Sequence, residues 1–179
     1  MEEMKRLNRE LMYKGAILDI YKDTMEFANG TQEEWDFVHH RMGAAAILPV
    51  LPDGRIVMVR QYRNALERET LEIPAGCRDS VTEDTGICAA REMEEETGYK
   101  SSHVEYLLSL RTTVAFCDEF VDVYVAKDLE KGTRHLDDAE SIDVEIYTLE
   151  ELRQMVYEGK IQDSKTVAAI MAYSNKIKG

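Results

Sequence analysis

Glu92, Glu95 and Glu96 stand at i, i+3 and i+4 in the run AREMEEETGY. In a helix of 3.6 residues per turn that spacing puts all three carboxylates on one face. Like charges so placed repel by roughly 0.2–0.5 kcal/mol per pair. Carboxylates in a last turn also meet the negative end of the helix dipole. Arg91 reaches Glu95 across one turn, but one guanidinium does not neutralise three carboxylates. A divalent cation does, and clustered carboxylate oxygens suit a hard ion such as Mg²⁺, with Mn²⁺ as a substitute. The competing reading is a solvated acidic face on a surface helix.

The helix that must carry these residues is bounded by its own signals. Asp84 is an N-cap residue, Thr85 to Thr97 form the body, and Gly98 supplies a left-handed C-terminal position. Ile87, Ala90 and Thr97 are expected to point toward a core. Upstream, Gly43 to Leu51 reads as a buried strand, Pro52-Asp53-Gly54 as a turn, and Arg55 to Tyr62 as a returning strand. That strand's end, Arg60-Gln61-Tyr62-Arg63, is expected to bring two guanidinium groups close together. Arginine forks suit phosphate oxygens, and salt bridges to Glu67 or Glu69 are the alternative. Downstream, Val104 to Thr112, Phe120 to Ala126 and Val144 to Tyr147 read as strands. Thr148 caps a helix from Leu149 to Tyr157, and Asp163 or Ser164 caps a last one ending near Ile177.

Residues 1–40 read as an N-terminal β extension and 41–179 as the main domain. Asn29-Gly30 is a hairpin signal. A ribbon this small buries little alone, so it must lie on the main domain or on a second subunit. Trp35, the one tryptophan, either packs or stacks on a nucleobase. His39 and His40 are adjacent on a strand and point to opposite faces.

The chain's 179 residues suffice for one well-buried domain with an extension. A formal charge of −13 argues against a nucleic-acid backbone as partner. It does not argue against a small phosphorylated substrate, since metal ions supply positive charge locally. Cys77, Cys88 and Cys117 form no CxxC pair and read as reduced thiols of a cytoplasmic protein. The N-terminus MEEMKRLNRE lacks the apolar stretch of a signal peptide, and no apolar run is long enough to span a bilayer.

The flanks of the acidic helix complete a longer pattern. Gly76, Glu83, Arg91, Glu92, Met93, Glu95, Glu96, Gly98 and Tyr99 resemble the Nudix box, G-x5-E-x7-R-E-U-x-E-E-x-G-U with U bulky and apolar. Six residues rather than five separate Gly76 from Glu83. The resemblance implies metal-dependent hydrolysis of a nucleoside diphosphate linked to another moiety. It also implies an α/β/α sandwich around a mixed sheet.

The likeness extends along nearly the whole chain. RQYRNALERETLEIPAGC is similar to the run before the box in ADP-ribose pyrophosphatases, LDDAESID to their late acidic loop, and EGKIQDSKTVAAI to their closing helix. The N-terminal ribbon is similar to the one they use to dimerise. The resemblance implies Glu92 and Glu96 as metal ligands, Glu95 in support, and the Ala75 carbonyl as a further ligand. It gives Arg63 a phosphate contact, with Arg60, Trp35 and Glu119 as further substrate-binding candidates. Arg91 falls on a structural arginine that braces the box. Asp138 and Glu140 fall on the late-loop carboxylates, and Glu140, as metal ligand or base, is expected to contribute more. Thr113-Val114-Ala115 stands where many relatives have Ser-Pro-Gly beside the terminal ribose.

The implied reaction is hydrolysis of ADP-ribose to AMP and ribose 5-phosphate by a homodimer. The alternatives are a Nudix hydrolase of a GDP-sugar, NADH or an oxidised nucleotide, and a domain that senses ADP-ribose without cleaving it.

Overall fold

The computed structural model describes residues 4–136 and 141–177. Three antiparallel strands open the chain: β1 (Lys5–Lys14), β2 (Leu18–Glu26) and β3 (Gln32–His40), in the order β1-β2-β3. The Asn29-Gly30 turn joins the last two, with Gly30 at φ 80°. The sequence reading missed β1. Its polar and apolar residues do not alternate cleanly, because the β1–β2 register shifts at Arg6/Asn8 and again at Leu11/Tyr13.

The rest of the chain supplies β4 (Ala44–Pro49), β5 (Ile56–Arg63), β6 (Arg68–Glu72), β7 (Ala75–Cys77), α1 (Thr85–Thr97), β8 (Tyr99–Lys100), β9 (His103–Arg111), β10 (Phe120–Lys127), β11 (Glu130–Lys131), β12 (Ile142–Tyr147), α2 (Leu149–Tyr157) and α3 (Ser164–Lys176). A mixed sheet runs β7-β4-β10-β9, with β4 and β10 parallel. A second sheet runs β12-β5-β6, and the bridge Val50↔Ile56 links the two.

The short apolar run at Ala44–Pro49 is buried on both faces, which makes it a continuous apolar strand rather than an alternating one. Ala45 and Ile47 pack with Cys88, Ala89 and Met93 of α1. Ala46 and Leu48 pack with Leu152 of α2 and with Ala169, Ile170 and Tyr173 of α3. Strand β10 splits the same way, with Val121, Val123 and Val125 toward α3 and Ala126 toward α1. The result is an α/β/α sandwich around a mixed sheet.

Each helix begins on the residue its sequence signal names. Asp84 accepts from the Gly86 and Ile87 amides, and Gly98 ends α1 at φ 70°. Thr148 and Glu151 form a capping box at α2. Asp163 accepts from the Thr166 amide at α3. Of the three residues expected to face the core, Thr97 is buried, Ala90 is half-buried and Ile87 is misassigned. Ile87 is 65% exposed, and the inward face of α1 is Cys88, Ala89, Met93, Glu96 and Thr97. The core-facing stripe centres on Met93, and Ile87 lies well outside it at 100° per residue. Burial pushes the Cys88 thiol up to about 12, against the opposing pull of Arg91, so it packs as a small neutral group.

Two links tie outlying segments to the box. The bridge Val38↔Cys117 and the bond from the His40 amide to Asp118 Oδ1, at 2.9 Å, fasten β3 to the loop before β10. Fully buried Thr166 accepts from the Ile73 amide at 3.0 Å and donates to Asp163 Oδ2 at 2.6 Å. This holds α3 against the segment that leads into β7. Replacing Thr166 with Val keeps the shape and leaves a buried N–H without its acceptor. The expected cost is about 1–3 kcal/mol of stability, read as a lower denaturant midpoint at unchanged m-value; an unchanged midpoint would show that this link is dispensable.

Candidate active site

The acidic face of α1 looks onto the β7 strand. Ala75, Gly76, Cys77, Asp79, Arg91, Glu92, Glu95 and His135 line a cavity of about 340 Å³ there. Gly76 leaves room for the Glu92 carboxylate. A Cβ at that position would lie 2.3 Å from it, so a larger residue would displace that carboxylate from its place on the backbone. Glu96 sits deeper and is 3% exposed.

Arg91 gathers the site. Its Nη1 donates to Glu92 Oε1 at 2.7 Å and to Glu95 Oε2 at 2.9 Å. Its Nε donates to Glu83 Oε1 at 3.3 Å, and its Nη2 to the Cys77 carbonyl at 3.1 Å. Burial alone would lower the Arg91 guanidinium, but Glu92 and Glu83 outweigh it and hold its pKa above the ordinary arginine value. Arg91 thus reaches two of the three clustered glutamates and also Glu83. Among the described residues, no three His, Cys, Asp or Glu side chains are gathered tightly enough to form a metal centre by themselves. The donor chemistry still fits a hard cation: carboxylate oxygens of Glu92 and Glu95 and the backbone of Ala75 face one small polar cavity.

A second cavity, of about 310 Å³, adjoins the first and shares Ala75, Gly76 and Cys77 with it. Arg63, Thr112, Glu119 and Lys165 line it. Arg63 is held by Glu72, with Nε to Oε1 at 2.7 Å and Nη2 to Oε2 at 2.5 Å. Thr70 and Lys165 also donate to that carboxylate. Glu119 accepts from the Thr112 hydroxyl at 2.6 Å. Behind it lies His40, whose side chain is 5% exposed. Its Nδ1 accepts from the Gly43 amide at 3.0 Å, so the neutral ring carries its proton on Nε2, which faces Cys77 and Glu119 at 3.8 and 3.7 Å.

The structure therefore brings Ala75, Glu92 and Glu95 together in one cavity, with Glu96 buried on the same helix, and Arg63 and Glu119 together in the next. It does not bring Arg60 to them. Residues 60 and 63 are an odd number apart on a strand and point to opposite faces. Arg60 pairs with Glu145 and lines a different cavity with Met155 and Lys160; the expected closeness of the two guanidinium groups is corrected by that alternation. Neither pairs with Glu67 or Glu69. Trp35 lines a groove of about 710 Å³ with Ile20, Val38, Ala115 and Phe116. Asp138 and Glu140 lie outside the described residues. Just before them, the His135 amide donates to the Glu95 carbonyl and Arg134 Nε to the Glu96 carbonyl, at 3.0 and 2.7 Å. Sequence reasoning missed Glu72, His135 and Lys165. A glutamate between two buried apolar residues, Leu71 and Ile73, was a usable signal for Glu72; nothing local marked Lys165.

Glu72 gives the site a pH signature. Burial, at 2% exposure, raises its carboxyl, but Arg63, Lys165 and Thr70 outweigh that and bring it from 4.5 to about 2. A depressed carboxylate stabilises the fold above its unfolded pKa, and the contribution is lost as pH falls through the folded one. Such a shift corresponds to about 3 kcal/mol. Wild-type protein is therefore expected to exceed Glu72→Gln in stability at pH 6, with the gap closing by about that amount toward pH 2. Denaturant titrations at both pH values check this; a gap independent of pH refutes it.

Comparisons with known proteins place the chain in a family. The NUDIX domain family model matches residues 39–170. The chain is 39% identical over 170 residues to the methanol dehydrogenase activator of Bacillus methanolicus, covering 94% of this chain and 91% of the relative. It is 36% identical over 170 residues to the ADP-ribose pyrophosphatase of Bacillus subtilis (strain 168), with the same shares of both chains. A crystal structure of an ADP compounds hydrolase superposes with a TM-score of 0.90 at 21% identity, over 99% of this chain and 95% of that one. With Gly76, Arg91, Glu92 and Glu95 around one polar cavity, Glu83 bound to Arg91, and the family model matched over most of its length, the chain belongs to the Nudix family.

Proposed function

We propose that this chain is a divalent-metal-dependent pyrophosphohydrolase that cleaves ADP-ribose to AMP and ribose 5-phosphate. The observation that carries the reading is the strand Ala75–Cys77 shared by two cavities. The α1 carboxylates Glu92 and Glu95 lie on one side of it, and Arg63 and Lys165, together with Glu119 and Asp163, on the other. A diphosphate lying across that strand meets cation-binding groups at one end and a guanidinium at the other. The name of the Bacillus subtilis relative supports ADP-ribose as the substrate.

In this reading Glu92, Glu96 and the Ala75 carbonyl would hold Mg²⁺, or Mn²⁺ in its place, with Glu95 and Glu140 completing the set. Such an ion would supply charge neutralisation at the phosphates and a lower pKa for water. Glu140, or Asp138 beside it, accepts the proton of the attacking water. Arg63 holds the diphosphate in line. Glu119 receives a sugar hydroxyl, and Trp35 offers a face to the nucleobase. Arg60 keeps the structural pairing with Glu145. Three free thiols suit a reducing compartment, and we read the protein as cytoplasmic.

The test is turnover of ADP-ribose, GDP-mannose, NADH and an oxidised nucleotide with Mg²⁺, compared as kcat/KM. ADP-ribose is expected to lead. Glu96→Gln, which keeps the shape and removes a charged ligand, is expected to lower kcat by at least about a hundredfold, of the order of losing one strong electrostatic contact in a transition state. Near-wild-type turnover by that variant at saturating Mg²⁺ would sink the assignment.

We also propose that residues 1–40 are a dimerisation element and 41–179 the hydrolase domain. Leu7, Leu11, Met12 and Tyr13 on the three-stranded sheet and Ile17 in its first turn are 43–62% exposed, and the sheet has no core of its own. Light scattering is expected to give twice the 20.5 kDa chain mass, and Leu11→Asp to shift that toward the monomer. A wild-type monomer at full activity rejects the dimer.

A further inference from the structure

Arg63, Glu72 and Lys165 form a cluster that the sequence pattern around the box does not explain. Glu72 is 2% exposed, yet the cations on it are unevenly covered, at 39% side-chain exposure for Arg63 and 14% for Lys165. A cluster serving only to anchor α3 would gain nothing from an open guanidinium. The anchoring is already supplied by Thr166 and the Ile73 amide.

The donors are only partly used. Glu72 occupies one edge of the Arg63 fork, Nε and Nη2. A guanidinium has five N–H groups, so the Nη1 edge is left for another acceptor. Lys165 gives one hydrogen to Glu72 and one to Asp163 Oδ2, the latter at 3.0 Å. An ammonium has three. Asp163 is itself occupied with the Thr166 amide and hydroxyl at the start of α3. Both Arg63 and Lys165 line the cavity beside Ala75, Gly76 and Cys77, across from the glutamates of α1.

We propose that Glu72 is a positioning residue that aligns Arg63 and Lys165 as a paired cationic cradle, and that Lys165 contacts, beside Arg63, the phosphate of a diphosphate lying away from the α1 carboxylates. Two long flexible cations facing one cavity would otherwise repel and spread. A single buried carboxylate binding the near edge of each holds them together and directs their remaining hydrogens outward. The cost of ordering both side chains is then met in the free protein rather than on binding. The inference deepens the pyrophosphohydrolase reading and rests on its placing of the diphosphate.

The experiment compares wild type with Lys165→Met, Lys165→Arg, Glu72→Gln and the double variant Glu72→Gln/Lys165→Met. KM and kcat are measured for ADP-ribose, and Kd for magnesium methylenediphosphonate is measured by calorimetry. Lys165→Met is expected to raise both KM and Kd at least about tenfold, the scale of a lost charged hydrogen bond, with kcat changed less than KM. Lys165→Arg is expected to recover most of that loss. Glu72→Gln is expected to move KM and Kd in the same direction, and in the Lys165→Met background to add only the part that acts through Arg63, so that the combined effect falls short of the product of the single ones. A folded Lys165→Met with wild-type KM and Kd overturns the proposal. So do fully multiplicative effects in the double variant, and so does wild-type protein that fails to bind the diphosphonate. If Glu72→Gln does not fold, the two Lys165 variants decide. If wild type binds the diphosphonate but leaves ADP-ribose intact, the substrate reading fails while a tenfold loss in Lys165→Met still upholds the cradle.

Discussion

The Arg91 guanidinium is the contact on which the site depends. It joins three elements that would otherwise separate: the end of β7 through the Cys77 carbonyl, the loop before α1 through Glu83, and the helix through Glu92 and Glu95. The glutamates alone repel one another and the helix terminus. One delocalised cation with a planar fork satisfies four acceptors at once, which a lysine ammonium would not. Cys88, Ala89 and Met93 seat the helix on the sheet, and the guanidinium then directs the Glu92 and Glu95 carboxylates toward the end of β7.

What was legible in the sequence was local. Asp84 and Gly98 mark both ends of α1 because caps are satisfied by atoms within a few residues. The apolar run of β4 declares a strand covered on both faces, and that alone demands helices on either side of the sheet. Ile87 was misread because an apolar residue was taken as a core residue, when the stripe around Met93 decides the face. Strand β1 was missed because its register shifts destroy the period of two on which strand recognition rests.

The cation cluster beside the box was illegible for a different reason. Glu72 and Lys165 are 93 positions apart and meet only because α3 folds back over the sheet. Their pairing leaves no period, cap or turn signature in either segment. The same holds for His40, whose ring is placed by the Gly43 amide and whose neighbours, Cys77 and Glu119, come from β7 and from the loop before β10. Chemistry carried by one helix is written in one stretch of sequence. Chemistry assembled between strands and a closing helix has to be read from the fold.

The loop between Gly76 and Glu83 carries one residue more than the family pattern. Its closure is made from its own atoms: the Asp79 amide binds Glu83 Oε2 at 2.7 Å, the Glu83 amide binds the Ser80 carbonyl at 3.2 Å, and Arg78 donates to the Val81 and Glu83 carbonyls. Arg78 Nε is meanwhile fixed to the Met42 carbonyl at 2.6 Å, outside the loop. Both ends are thus moored independently of the contour between them, and Glu83 still reaches Arg91. An added residue lengthens the outward arc without transmitting a displacement to α1. The extra residue is absorbed in the arc from Asp79 to Thr82, while Glu83 keeps its bond to Arg91.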